Sequence, residues 1–225
     1  MKKAYVYRMK LVPANIFAII IFIIMLIITI GFFRVYFTSM EILITTLLMV
    51  VWFILHELLH GLGFLLGGVK RKNIKYGAAF EKGIVYTLAL QEVNKKGILV
   101  SLQMPFMIIG VITYIIGIIF NLNILTLLSI INLTGAALDI VMFLYIMKIK
   151  DITYSETGAP DEFVLISKED LTKRKSLFLE IIETKDYNKS DYKFDIGNRF
   201  EISKRSLTAV VVFVLVMILL IVISI

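Results

Sequence analysis

Along the chain, apolar residues come in runs too long for strands and too unbroken for amphipathic helices. Five stretches, Ala14–Phe33, Ile42–Gly68, Ile98–Phe120, Ile124–Met147 and Leu207–Ile225, are uncharged or nearly so. Each reaches the roughly 20 helical residues that cross a hydrocarbon core. Between them polarity is uneven. The links RVYFTSME and NLN are short, whereas the segments after Gly68 and after Met147 are long and charged.

In the first charged segment Ile84, Tyr86, Leu88 and Leu90 alternate with Val85, Thr87 and Ala89 behind the tripeptide EKG, which predicts a β-hairpin; a loop lying on the membrane surface is the other reading. In the second, EFVLIS predicts a strand. Ser167-Lys-Glu-Asp has the pattern of a capping box and predicts a helix running through LTKRKSLFLEII. The expected fold is an all-α polytopic membrane protein of about five transmembrane helices, with a small cytoplasmic β-hairpin and a small cytoplasmic α+β segment. The expected organisation is a cytoplasmic N-terminus over residues 1–13, a four-helix transmembrane core over 14–149 with a cytoplasmic loop at 69–97, a cytoplasmic segment over 150–206 and a last transmembrane helix over 207–225.

Composition strengthens this picture. Of 225 residues 59% are hydrophobic, above the roughly 45–50% of soluble domains. The first apolar run is longer than the core of a cleavable signal and no small-residue cleavage site follows it. A formal net charge of +7 suggests nucleic acid until its distribution is considered. Lysines and arginines gather before the first run, between the second and third, and between the fourth and fifth, while the two short links carry only Arg34. That asymmetry predicts a cytoplasmic N-terminus and an extracytoplasmic C-terminus. The expected partner is the lipid bilayer, not nucleic acid. Cysteine is absent, which removes disulfides and thiolate ligands.

One polar cluster interrupts the apolar pattern. Residues 52–68 read WFILHELLHGLGFLLGG and contain both histidines of the chain. His-Glu-x-x-His on a helix puts His56 and His60 on one face, where they can grip one metal ion beside Glu57. Two imidazoles suit zinc, and a hydrolytic site needs a third protein ligand plus an open position for water. Glu57 can take the proton of that water and pass it to a leaving amine. The alternative is that the histidines are polar residues bonded to neighbouring helices.

The third ligand has one intramembrane candidate. Besides Glu57, the only acid within the five runs is Asp139, and an intramembrane acid is costly. The second and fourth runs point the same way through the membrane. His60 precedes Lys70 by ten residues and Asp139 precedes Lys148 by nine, so both sit about 14–15 Å from the first cytoplasmic charge. Asp139 can instead be protonated or bonded to a helix backbone.

These residues, H56-E-L-L-H60-G-L-G and N132-L-T-G-A-A-L-D139, resemble the intramembrane zinc metalloproteases of the site-2 type. More closely they resemble a bacterial family of multi-pass membrane proteins described as zincin peptidases, as does SLQMPFMIIG around Pro105. Gly135 stands where the site-2 pattern has proline, and Ile140 where it has glycine. The resemblance implies Zn2+ held by His56, His60 and Asp139, with Glu57 as catalytic base. It also implies a membrane-embedded or membrane-adjacent peptide as substrate, and the bacterial cell membrane as location. By the same analogy Asn132 orients substrate; a helix-packing amide is the other reading. A zinc-binding membrane protein that no longer cleaves, acting as immunity factor, adaptor or regulator, is the alternative function.

Overall fold

The computed structural model describes residues 2–79, 84–157 and 161–188. The predicted span 207–225 and the EKG turn lie outside them. The chain opens with strand β1 (Lys3–Met9), then helix α1 (Leu11–Ile27), which widens into a π-helical turn at Ile28–Phe32. Helix α2 (Ser39–Leu66) begins at a full capping box: Thr38 Oγ1 accepts from the Glu41 N–H, and the Glu41 carboxylate accepts from the Thr38 N–H. Strands β2 (Ile74–Ala79) and β3 (Ile84–Ala89) form the expected antiparallel hairpin. After the two-residue β4 (Val93–Asn94), α3 (Lys95–Pro105) runs through a π-helical stretch into α4 (Thr113–Ile119). Then come α5 (Asn123–Gly135) and α6 (Ala137–Met147), followed by β5 (Ile152–Glu156), β6 (Glu162–Ser167) and β7 (Leu179–Asp186).

Three helical stretches, Leu11–Phe32, Ser39–Leu66 and Lys95–Ile119, are long and apolar enough to cross a membrane. The pair α5 and α6 makes a fourth candidate, bent by 50° at its break. Exposed side chains on α1 such as Ile16, Ile20, Ile23 and Ile27 suit contact with lipid. Two hydroxyls buried within the helices turn back on their own backbones: Thr29 donates to the Met25 carbonyl and Ser129 to the Leu125 carbonyl.

The described chain is a mixed α/β structure, which overturns the all-α expectation. Its strands form a five-stranded antiparallel sheet of order β4-β5-β6-β1-β7 beside the two-stranded β2-β3. Strand β1 escapes a sequence reading because Ala4–Tyr7 are buried in an unbroken row, with no alternation to mark a strand. Both faces of the strand are covered. Tyr5 and Tyr7 pack with Phe64, Leu102, Met142 and Ile146 from the helices, and Ala4 and Val6 pack with Val164 and Ile166 on the other side. The Tyr7 and Tyr145 hydroxyls, 2.8 Å apart, tie the sheet to α6.

The helix predicted from Ser167 is also corrected. Ser167 closes β6, and its hydroxyl donates to the Asp151 carbonyl while accepting from the Glu169 N–H. Asp170 then caps only a single 3-10 turn at Leu171–Lys173. Residues Leu179–Asp186 pair with β1 from Met9 to Lys3. A capping pattern is local, and here a distant strand outbids it.

Helices α2 and α3 touch backbone to backbone. A Cβ at Gly63 would stand 2.4 Å from Ser101 Cα, and one at Gly67 would stand 2.3 Å from Gly97 Cα. Small residues allow this approach. Gly63→Ala is expected to destabilise the chain by about 1–3 kcal/mol, the usual range for overpacking. Thermal unfolding in detergent checks this, and an unshifted midpoint would mean that the two helices separate at no cost.

Candidate metal centre

The 28-residue α2 carries His56 and Glu57 side by side and His60 one turn further on. Each imidazole is held from behind by a carbonyl-type oxygen. His56 Nδ1 lies 2.9 Å from Asn132 Oδ1, and His60 Nδ1 lies 2.9 Å from the Ser101 carbonyl. The Asn132 amide is itself fixed, since its Nδ2 donates to the Pro105 carbonyl at 3.1 Å. Both oxygens can only accept, so each ring donates through Nδ1 and turns Nε2 away from that bond, toward a metal.

Pro105 accounts for one of these acceptors. It lies within α3, and a proline lacks the N–H that would bond the carbonyl four residues earlier. That carbonyl belongs to Ser101. The close approach at Gly63 brings it to His60, and Ser101 Oγ returns a hydrogen bond of 2.9 Å to the His60 carbonyl. Pro105→Ala restores a competing N–H. It is expected to lower zinc affinity about 10–100-fold, as lost outer partners of ligating histidines do. Titration against a competing chelator gives the Kd; an unchanged value would show that His60 needs no released carbonyl.

Asp139 arrives from the first turn of α6, just past the bend at Gly135–Ala136. The free N–H groups of a first helical turn favour a carboxylate. Asp139 Oδ2 lies 3.2 Å from His56 Nε2 and 3.4 Å from His60 Nε2, and the two Nε2 atoms are 3.1 Å apart. Two ligand atoms on a tetrahedral zinc, each about 2.0–2.1 Å from the ion, stand about 3.3–3.4 Å from one another. The triangle therefore has the right size. Its chemistry fits as well, because two imidazole nitrogens and a carboxylate converge, a donor set that suits a divalent cation.

Glu57 also brings a carboxylate oxygen within 4.8 Å of the histidine nitrogens. It is held from the hairpin: Thr87 Oγ1 lies 2.7 Å from the Glu57 carbonyl and 2.9 Å from Glu57 Oε2, sharing one proton between them. A pocket of about 180 Å³ opens here, and Glu57, His60 and Asp139 face it with Thr87, Tyr154 and Glu156. Of the residues singled out in the sequence, the structure brings His56, Glu57, His60 and Asp139 together. It places Asn132 behind His56, bonded to the ring, and not on the pocket wall.

Tyr154 and Glu156 were not legible in the sequence. Both are buried in β5, with Tyr154 Oη donating to Glu156 Oε1 at 2.9 Å. Burial pushes the Tyr154 hydroxyl well up, so it stays a neutral donor. Burial also pushes the Glu156 carboxyl up to about 7, against the pull of Tyr154, His60 and the Ala89 N–H.

No curated protein and no solved structure matches the chain. Residues 48–154, from within α2 to the middle of β5, match the model of the family described as "Putative zincin peptidase".

Proposed function

We propose that the chain is a zinc metallopeptidase whose site lies within the membrane near its cytoplasmic side, acting on a membrane-embedded or membrane-adjacent peptide segment. The observation that carries the reading is the triangle of His56 Nε2, His60 Nε2 and Asp139 Oδ2, with sides of 3.1–3.4 Å, backed by two fixed Nδ1 donors. Three protein ligands leave a position open, which is the mark of a catalytic rather than a structural site. Zinc, when bound there, supplies a Lewis acid that polarises a carbonyl and acidifies a water.

The chain's own residues do the rest. Glu57, steadied by Thr87, takes a proton from the attacking water and delivers it to the nitrogen of the leaving amine. The protonated Nδ1 atoms keep both rings turned toward the ligand triangle. Asn132 acts as a positioning residue for His56. Beside the pocket, β3 offers an extended edge on which an unwound substrate segment can lie.

Topology supports the location. Strands β1 and β5–β7 share one sheet, so the chain must return to its starting side between Met9 and Ile152. Four crossings, counting the bent pair as one, achieve this. The lysine-rich ends at Lys2–Lys10, Lys70–Lys75 and Lys148–Lys150 then fall on the sheet side, which is cytoplasmic by the positive-inside rule. A bacterial cell membrane is the proposed setting.

The test uses the full chain in proteoliposomes, loaded with zinc and incubated with a proteome-derived peptide mixture, with new termini read by mass spectrometry. Cleavage is expected to stop on chelation and return with added zinc. New termini made equally well by the chelated protein would overturn the reading.

A further inference from the structure

Glu156 enters the pocket from the sheet, opposite in origin to every other acid there. Glu57 comes from α2 and Asp139 from α6, whereas Glu156 ends β5 and is 7% exposed. Its partners are the Tyr154 hydroxyl and the Ala89 N–H, both neutral. No lysine or arginine lines the pocket among the described residues. A buried carboxylate is costly unless it is paired with an opposite charge.

The charges can be counted around the pocket. A divalent ion held by His56, His60 and Asp139 carries two positive charges, which offset the carboxylates of Asp139 and Glu57. Glu156 is left over. Among the described residues no lysine or arginine of the pocket answers it, and it faces the space where a substrate must lie. We propose that Glu156, held by Tyr154 and the Ala89 N–H, is a specificity-determining residue that receives a cationic group of the substrate next to the scissile bond. The chemistry is that of an alkylammonium or guanidinium ion. Two sources share it: the side chain of a lysine or arginine, and the free α-amino group of a peptide.

This proposal rests on the peptidase reading for what the pocket holds, but its test does not depend on cleavage. The zinc-loaded full chain in detergent is titrated calorimetrically at mildly alkaline pH with three probes. N-acetyl-lysine amide carries a side-chain cation, norleucine amide carries an α-ammonium, and N-acetyl-norleucine amide carries neither. One cationic probe is expected to bind about tenfold or more tightly than the neutral one, and which of the two does so identifies the source. In Glu156→Gln, which keeps an oxygen for Tyr154, that preference should vanish while zinc content stays at the wild-type level.

Equal binding of all three probes by the wild type overturns the proposal without recourse to any variant. A preference retained in Glu156→Gln overturns it too, since the cation would then be read elsewhere. A chain that shows the Glu156-dependent preference yet cleaves nothing in the peptide mixture sinks the peptidase reading alone. A chain that cleaves but ignores charge sinks this proposal alone.

Discussion

Asp139→Ala is expected to strip the protein of metal. Elemental analysis of the purified wild type should give about one zinc per chain, as a three-ligand site with one open position holds. The variant should lose more affinity than the about 10–100-fold expected when an outer partner such as the Ser101 carbonyl is disturbed. The reason lies in the triangle. His56 Nε2 and His60 Nε2 are 3.1 Å apart, and Asp139 Oδ2 supplies its third corner at 3.2 and 3.4 Å. Asp139 also contributes the only negative charge at a ligand corner, so alanine removes a bond and half of the charge compensation together. Full zinc content in the variant would remove Asp139 from the ligand set.

Glu57→Gln is expected to separate binding from chemistry. Glutamine keeps the shape and still offers an oxygen to Thr87 Oγ1, which lies 2.9 Å from Glu57 Oε2 in the wild type. Zinc content should therefore stay near one per chain. Glutamine cannot take a proton from water, and loss of a positioned general base lowers rates by about 10²–10⁴-fold. Appearance of new peptide termini, measured against wild type at equal zinc, checks this. Cleavage at the wild-type rate would take the base role from Glu57 and move attention to the other pocket acid, Glu156.

How far a site can be read in a sequence depends on how local its logic is. His56, Glu57 and His60 were legible because helical periodicity alone puts them together. Asp139 was legible for an energetic reason: an acid in a long apolar run needs a purpose, and its depth matched that of His60. The apolar runs likewise marked four helical stretches of the described chain within a few residues. The Ser101 carbonyl was within reach of the same reasoning, since Pro105 must orphan the oxygen four residues back.

The rest depends on contacts that no local pattern encodes. Nothing in KAYVYRM predicts pairing with residues 162–167 on one side and 179–186 on the other. Without that sheet, EFVLISKED reads as a strand followed by a helix, and Glu156 reads as one more solvated acid. It becomes a pocket residue only because β5 is held between β4 and β6. The all-α expectation failed for the same reason. Apolar runs announce helices loudly, while a strand buried on both faces gives little alternation to detect.

The place of β1 at the inner position of the sheet also sets an order of assembly. This strand leaves the ribosome ahead of α1–α6, yet both its neighbours follow α6: Lys3 pairs with Ser167 and with Asp186. Contacts so distant along the chain form late. A nascent chain can thus hold His56, His60 and Asp139 on formed helices while β5, and with it the wall bearing Tyr154 and Glu156, still lacks its place. A finished pocket is withheld until α1–α6 have formed and the sheet has closed on β1. A bulky fusion ahead of Lys3 would slow that final closure most.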